Sequence, residues 1–179
     1  MTDERQLLQR AKQFEEAAIA ELYDKYAPMI YSYLYRRVSD EHIAEDLTSD
    51  VFLRALEAIQ NENFWHTSFR AWIYRIAHNL VVDHYRDRSS ADLLPLDERL
   101  IASVEMPESA KADPLSFRRL RLAMRQLTPS QEQVIVLRFG EHLTSREVAE
   151  IMGKSTGAVE LLQHRALEKM RRFLRTDRE

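Results

Sequence analysis

The sequence predicts an all-α protein of two small helical domains joined by an extended linker, and three observations support this. Only three glycines occur among the 179 residues, and none precedes Gly140. Between residues that break helices, apolar side chains recur at every third or fourth position, which is the period of an amphipathic helix. The interval 87–113 lacks this period and holds two of the five prolines, so we expect it to form the linker.

The composition excludes several classes of protein. The chain has no cysteine, which rules out disulfides and zinc–thiolate sites. Hydrophobic residues make up 45% and charged residues 31% of the chain, as in ordered, water-soluble proteins. No apolar run approaches the ~20 residues that span a bilayer, and the charged start does not resemble a signal peptide. We therefore expect a cytoplasmic protein.

The overall net charge of −3 conceals an uneven distribution. Residues 1–88 carry 11 basic and 15 acidic side chains, and residues 89–116 carry 2 and 6. Residues 117–179 carry 13 basic and 8 acidic side chains, a net charge of +5. A basic C-terminal part behind an acidic middle indicates that the last third of the chain contacts a polyanion.

The first predicted helix ends or kinks at Pro28, because proline lacks an amide hydrogen and clashes with the preceding helical turn. It is expected to bury Phe14, Ala18, Leu22 and Tyr26. A second helix is expected to begin at Pro28 and to fade at Ser39–Asp40. It would bury Met29, Ile30, Tyr33 and Leu34.

Two further helices are expected to complete a four-helix N-terminal domain. The helix at about 40–59 has its apolar side at Ile43, Leu47, Val51, Leu53 or Ala55, and Ile59. Four carboxylates near its start suit the helix dipole: these are Glu41, Glu45, Asp46 and Asp50. The helix at about 68–86 has its apolar side at Phe69, Trp72, Ile73, Ile76, Leu80 and Val81.

A helix-turn-helix is predicted in the C-terminal domain, where helical periodicity resumes from Pro114 with Phe117, Leu120, Leu122 and Met124. Thr128-Pro129-Ser130-Gln131 and Thr144-Ser145-Arg146-Glu147 are N-terminal capping sequences. Gly140 is expected to close the first capped helix and Gly153 the second. Ser155 can cap a final long, basic helix, and this succession is typical of a helix-turn-helix.

The second helix of such a motif enters the major groove with its first residues toward the bases. Its inward side is predicted at Val159, Leu162, Ala166, Met170 and Phe173. Lys169, Arg171, Arg172 and Arg175 could neutralise phosphates. The alternative is an ordinary helical hairpin with a solvated basic face.

Aromatic residues and arginines alternate in a second segment. The aromatic residues are Phe64, Trp65, Phe69, Trp72, Tyr74 and Tyr85, and the arginines are Arg70, Arg75, Arg86 and Arg88. Such a mixture suits unpaired bases, since stacking contributes ~1–3 kcal/mol per base. Aromatic residues at helical spacing are more often core, which favours burial of Phe69, Trp72 and Ile76. For Trp65 and Tyr74 both readings remain open.

Three sequence blocks in this order resemble the extracytoplasmic function (group IV) sigma factors of the sigma-70 family. They are AEDLTSDVFLRALEAI, FRAWIYRIAHNLVVDHYR and LTPSQEQVIVLRFGEHLTSREVAEIMGKSTGAVELLQHRALEKMRRFL. The resemblance implies a region 2 helical bundle at residues 14–88 and a region 4 helix-turn-helix at 114–174. The corresponding domains would be 1–88, an acidic linker 89–113, and 114–179.

The resemblance also implies a role for particular residues. Contacts with the β′ subunit of core RNA polymerase would come from Glu45, Asp46, Leu47, Asp50, Val51 and Phe52. Contacts with the −10 element would come from Trp65, Arg70, Trp72, Tyr74, Arg75, His78, Asn79 and Asp83. Contacts with the −35 element would come from Arg146, Ser155, Thr156, Gly157, Ala158, Glu160, Gln163, His164, Arg165 and Lys169.

The expected function is that of an alternative sigma factor, which binds core polymerase through its β′ and β subunits and directs it to promoter DNA. An anti-sigma protein is expected to control it. No catalytic residue, metal or cofactor is expected, since no HExxH, phosphate-binding loop or nucleophile elbow occurs. Two alternatives are a stand-alone helix-turn-helix regulator of duplex DNA and a helical adaptor that binds protein only. The early recognition helix has Glu160-Leu161-Leu162 where many relatives have a lysine and an arginine, so its promoter cannot be copied from theirs.

Overall fold

A computed structural model of the chain describes residues 4–60, 68–89 and 113–176. Every regular element in these ranges is helical, which confirms the predicted fold class. The helices belong to two units, one N-terminal and one C-terminal. Within the described residues, the N-terminal unit consists of α1 (Glu4–Lys12), α2 (Glu16–Val38), α3 (Glu41–Gln60) and α4 (Phe69–Ser89).

The core of the N-terminal unit lies between α2, α3 and α4. Its largest fully buried side chains are Tyr26, Ile30, Tyr33, Leu34, Val51, Ile73 and Tyr74. On α3, Ala55 is buried and Leu53 is 56% exposed, so Ala55 is the core residue of the two that the sequence left open. The periodicity therefore assigned the buried side of α3 and α4 correctly.

Two expectations for the first helices were wrong. α2 continues through Pro28, and the preceding helix is α1, whose Leu7 and Ala11 are buried. Pro28 is exposed, and its ring deprives only the carbonyl of Asp24 of a helical partner. Burial of apolar side chains on both sides of Pro28 outweighs that loss. Phe14 is 45% exposed in the turn between α1 and α2, with φ at +58°, and does not belong to the core.

The C-terminal unit contains α5 (Pro114–Met124), α6 (Pro129–Ile135), a π-helical segment (Val136–Gly140), α7 (Ser145–Met152) and α8 (Thr156–Thr176). Both predicted capping boxes form, at Thr128 with Gln131 and at Thr144 with Glu147. Ser155 Oγ accepts the amide of Ala158 at 3.2 Å and so begins α8 as predicted. A small core of Ala123, Ile135, Ala166 and Met170 joins α5, α6 and α8.

Gly140 does not close α6, contrary to the expectation. The helix passes into the π-helical segment, and the residue that ends it is Glu141. Gly153 does end α7, in the left-handed conformation with φ at +61°. Only glycine adopts this conformation without a steric cost, which fixes the tight turn into α8.

Gly153→Ala is expected to lower the free energy of unfolding of the C-terminal unit by about 1 kcal/mol, because a side chain disfavours the left-handed conformation. The added Cβ would meet no atom within 4 Å, so backbone strain is the only cost. Gly157→Ala is the matched control, since its Cβ also meets nothing and its φ is helical. We expect this control to stabilise the protein slightly. Urea denaturation followed by far-ultraviolet circular dichroism measures both, and equal effects would contradict the prediction.

Candidate functional site

The first half of α3 has an acidic, exposed side. Glu45, Asp46 and Asp50 are exposed. Neither Asp46 nor Asp50 forms an ion pair within the described part of the chain, whereas Glu45 lies 3.9 Å from His42. Both carboxylates therefore remain available to a partner.

Two residues of α3 that were predicted to contact polymerase lie in the core. Leu47 is 7% exposed and Val51 is fully buried, so both belong to the core. Both were expected to contact polymerase, but their side chains pack against α2 and α4 and do not lie on the exposed side of α3. Phe52 is only partly buried, and its ring lies 4.7 Å from that of Tyr23 on α2.

A shallow groove of about 350 Å³ runs between α2 and the acidic side of α3. It is lined by Tyr23, Asp24, Ala27, Pro28, Tyr31, Glu45, Thr48 and Ser49. The contribution of α2 was not predicted, because no local pattern in the sequence indicates which side of α2 borders α3. The groove adds an aromatic wall to the acidic surface, and the exposed Leu53 and Tyr23 lie on the same two helices.

Two aromatic residues of α4 that were expected to contact DNA lie in the core. Trp72 is 6% exposed and packs on Phe69, with ring centroids 5.6 Å apart. Tyr74 is fully buried, and its ring meets the ring of Tyr33 edge to face at 5.3 Å. Both side chains therefore pack in the core of the N-terminal unit and do not lie on the solvent side of α4. Trp65 lies outside the described residues.

His78 is also turned toward the interior, at the contact of α4 with α2. Its Nδ1 lies 3.5 Å from the hydroxyl of Tyr33. Burial, and secondly the charge of Arg37, lowers the pKa of His78 to about 4. The Arg37 guanidinium is itself buried and lies 5.0 Å from the Tyr33 ring centroid, with Nη2 lacking a hydrogen-bond partner among the described residues. Tyr85 donates its hydroxyl proton to the carbonyl of Arg37.

The solvent side of α4 is formed by residues at positions i, i+4, i+7 and i+11, which is one face of a helix. They are Arg75, Asn79, Val82 and Arg86. Val82 is 47% exposed, and Arg86 pairs with Asp83 at 3.0 Å. Arg70 is partly buried, with its guanidinium 6.0 Å from the Tyr74 ring centroid. Of the predicted −10 residues, Arg75 and Asn79 therefore share the exposed face, and Val82 and Arg86 join them.

The recognition helix, α8, keeps most of its predicted residues on the surface. The exposed ones are Ser155, Thr156, Gly157, Glu160, His164, Arg165 and Lys169, and Ala158 is partly buried. Arg146, on α7, is exposed and lies 3.9 Å from Glu150. On the opposite side of α8, Val159 and Ala166 are fully buried.

Gln163 has a partner within its own unit. Its Oε1 accepts a hydrogen bond from Nε of Arg138 at 2.9 Å, and Arg138 also donates to the carbonyl of Leu143. Gln163 is partly buried and lies between the core and the exposed side of α8. The hydrogen bond therefore ties the recognition helix to the π-helical segment, a role that the sequence did not predict.

Within the described residues, no group of three or more histidine, aspartate or glutamate side chains is arranged to hold a metal ion. None of the described helices is long and apolar enough to cross a membrane.

Known proteins match both units of the chain. Residues 22–91 match the family model of Sigma-70 region 2, and residues 123–172 match that of Sigma-70 region 4. The chain is 40% identical over 174 residues to the extracytoplasmic function sigma factor BldN of Streptomyces coelicolor, covering 96% of this chain and 66% of BldN. It is 28% identical over 178 residues to SigW of Bacillus subtilis, covering 94% and 95% of the two chains.

Among the solved structures with a similar fold is the sigma factor RpoE of Bartonella quintana in complex with the anti-sigma factor NepR. It matches with a TM-score of 0.65 and 19% identity, covering 88% of this chain and 97% of that one. The two sigma-70 regions follow one another in the expected order, and the relatives match nearly the whole chain. This protein therefore belongs to the extracytoplasmic function sigma factors of the sigma-70 family.

Proposed function

We propose that this sigma factor docks on core RNA polymerase through the acidic side of α3 and contacts promoter DNA with α4 and α8. The observation that carries the proposal is the presence, in one chain, of an exposed acidic surface whose Asp46 and Asp50 form no ion pair within the described residues and of a capped, basic helix-turn-helix. The first suits a basic protein partner, and the second suits duplex DNA. The polymerase, which is cytoplasmic, would supply the catalysis.

The polymerase contact would combine charge and apolar area. Asp46 and Asp50 supply unpaired negative charge, and the groove between α2 and α3 supplies aromatic surface from Tyr23 and Tyr31. Apolar anchors surrounded by charge are typical of protein interfaces in which charge sets specificity and association rate. We assign this surface to the β′ subunit of the polymerase.

The −10 contact would use the exposed side of α4. Asn79 can donate to and accept from the edge of an unpaired base, and Arg75 and Arg86 carry positive charge for the strand backbone. Val82 offers an apolar surface between them. Promoter melting then follows from preferential binding of unpaired bases, because a ligand shifts an equilibrium by its differential affinity for the two states.

The −35 contact would use the exposed residues of α8, and Arg165→Ala tests it. We expect this substitution to reduce transcription from −35-dependent promoters about tenfold, since one base or phosphate contact by arginine contributes about 1–3 kcal/mol. Arg118→Ala, which removes an exposed arginine from α5 instead, is the matched control. Run-off transcription with reconstituted polymerase gives the measurement. Equal losses on a template without a −35 element would indicate misfolding and contradict the assignment.

Control by an anti-sigma protein is part of the proposal. The solved relative from Bartonella quintana is bound to an anti-sigma factor, and this chain exposes charged surfaces on both units that a partner would have to cover. Such a protein should compete with core polymerase for Asp46 and Asp50. A partner that binds only the linker would count against this form of control.

The decisive experiment is run-off transcription on fragmented genomic DNA by bacterial core polymerase with and without the purified chain. We expect discrete new transcripts that share two unequal upstream elements. A stand-alone regulator would instead give footprints on inverted repeats with no core binding. That result would replace the proposed function with the regulator alternative.

A further inference from the structure

Leu161 is an exposed apolar residue on the recognition helix, and its place there has a consequence for promoter choice. It is 49% exposed, although it follows the buried Val159 by only two positions. Single exposed leucines are common on protein surfaces. The significance of this one comes from the residues that surround it on α8, and the inference rests on the proposed −35 function.

The exposed side of α8 is a stripe of residues at positions i, i+3, i+4, i+7 and i+8, which form one face of a helix. Its members are Gly157, Glu160, Leu161, His164 and Arg165, all exposed. At 100° per residue, Leu161 lies near the middle of this stripe and opposite Val159 and Ala166, which are fully buried. A helix that presents this stripe to the major groove therefore brings the Leu161 side chain to the base edges.

A leucine at a base edge favours one kind of base. The major groove presents hydrogen-bond donors and acceptors at every base pair, and its apolar group is the C5-methyl of thymine. Leucine can donate and accept nothing, so placing it over the N7 and O6 acceptors of guanine would desolvate them without compensation. Over the methyl group of thymine, the leucine side chain buries apolar area and covers no hydrogen-bonding group at that point.

Glu160, next to Leu161, is compatible with a thymine in this turn. Glu160 is exposed and acceptor-only when ionised, so it can accept from an exocyclic amino group but cannot serve the acceptors of guanine. The adenine that pairs with thymine and the cytosine that pairs with guanine both carry such an amino group, so Glu160 leaves the choice between these base pairs to Leu161. Donors appear one turn later, at His164 and Arg165.

From this arrangement we propose that Leu161 is a specificity-determining residue, which selects a thymine in the −35 element by packing on its C5-methyl group. A protein-docking role for Leu161 fits less well, because Glu160, His164 and Arg165 surround it on the exposed side of α8.

The test removes the methyl group from the DNA and the leucine from the protein. Each thymine of the −35 element is replaced in turn by deoxyuridine, which lacks only the C5-methyl. Binding to these duplex promoters is measured for polymerase reconstituted with the wild-type chain or with Leu161→Ala. We expect one thymine whose replacement weakens wild-type binding about fourfold, the effect of one buried methyl group, and leaves Leu161→Ala unaffected.

Two controls keep the result interpretable. Leu120→Ala removes a leucine of similar exposure, 45%, from α5 and should retain the full thymine preference. Circular dichroism should show equal thermal stability for wild type and Leu161→Ala, since the side chain is not part of the core. A thymine preference that survives Leu161→Ala at every position, or a −35 element without thymine, would overturn the proposal. Transcription that depends on no upstream duplex element would instead overturn the proposed function.

Discussion

Acidification is expected to lower the free energy of unfolding of the N-terminal unit by about 3 kcal/mol as the pH falls from 6.5 toward 4, through His78 alone. The pKa of His78 is lowered from 6.5 to about 4 in the folded protein. The unfolded chain therefore binds a proton in this window that the folded chain does not bind. The contribution of neutral His78 to the free energy of unfolding is fully present above pH 6.5. It is lost progressively as the pH falls to the folded pKa, at 1.36 kcal/mol per pKa unit.

The physical cause is the position of His78 between α4 and α2. A charged imidazole would lose hydration and would face the buried guanidinium of Arg37, while the neighbouring Tyr33 carries no charge. Burial disfavours the charged form, and a like charge disfavours it further. Neutral histidine is therefore the form that this part of the core accommodates.

Tryptophan fluorescence allows the free energy of unfolding of the N-terminal unit to be measured separately. Both tryptophans, Trp65 and Trp72, belong to the N-terminal part of the sequence, so the signal does not report on α5–α8. Urea denaturation of wild type and His78→Gln at a series of pH values from 7 to 4.5 isolates the histidine, because carboxylates titrate equally in both proteins. If His78→Gln loses as much stability as wild type across this range, the assignment to His78 is wrong.

Asp46→Lys is expected to weaken binding to core RNA polymerase about thirtyfold, if α3 provides the docking surface as proposed. The carboxylate is exposed and forms no ion pair within the described residues, so its removal leaves no internal group without a partner. The new lysine would face a basic partner surface and oppose association. Losses of this size are typical when a charge in an interface is lost or opposed.

Glu16→Lys is the matched control for Asp46→Lys. It makes the same change in net charge at an exposed position in the first turn of α2. Fluorescence anisotropy of labelled chain titrated with core polymerase gives both affinities, and unchanged tryptophan fluorescence shows that the N-terminal unit stays folded. Equal weakening by both substitutions would mean that only net charge matters. Unchanged affinity for Asp46→Lys would remove α3 from the interface.

The sequence specified most of the helical architecture because the relevant signals are local. The capping boxes at Thr128 and Thr144 involve side chains and amides three residues apart, and both form as predicted. Gly153 is required by a single backbone angle. Period and capping therefore located α3, α4, α7 and α8 to within a few residues.

Prediction was less successful where packing overrides local preference. Proline disfavours a helix interior, yet Pro28 lies within α2 because the flanking apolar residues are buried against other helices. The π-helical segment after Ile135 similarly replaces the expected glycine cap, and it places Arg138 within hydrogen-bond distance of Gln163. Neither arrangement can be deduced from neighbouring residues in the sequence.

By itself, the sequence determined that the chain is helical, where its capping residues lie and which sigma-70 regions it resembles. Only the tertiary structure decided which functional candidates face solvent. Tyr74 and Asn79 lie on one helix, but Tyr33 covers the first and nothing in the described residues buries the second. Helical period fixes which side chains share a face, whereas burial depends on the partner helix that packs against that face.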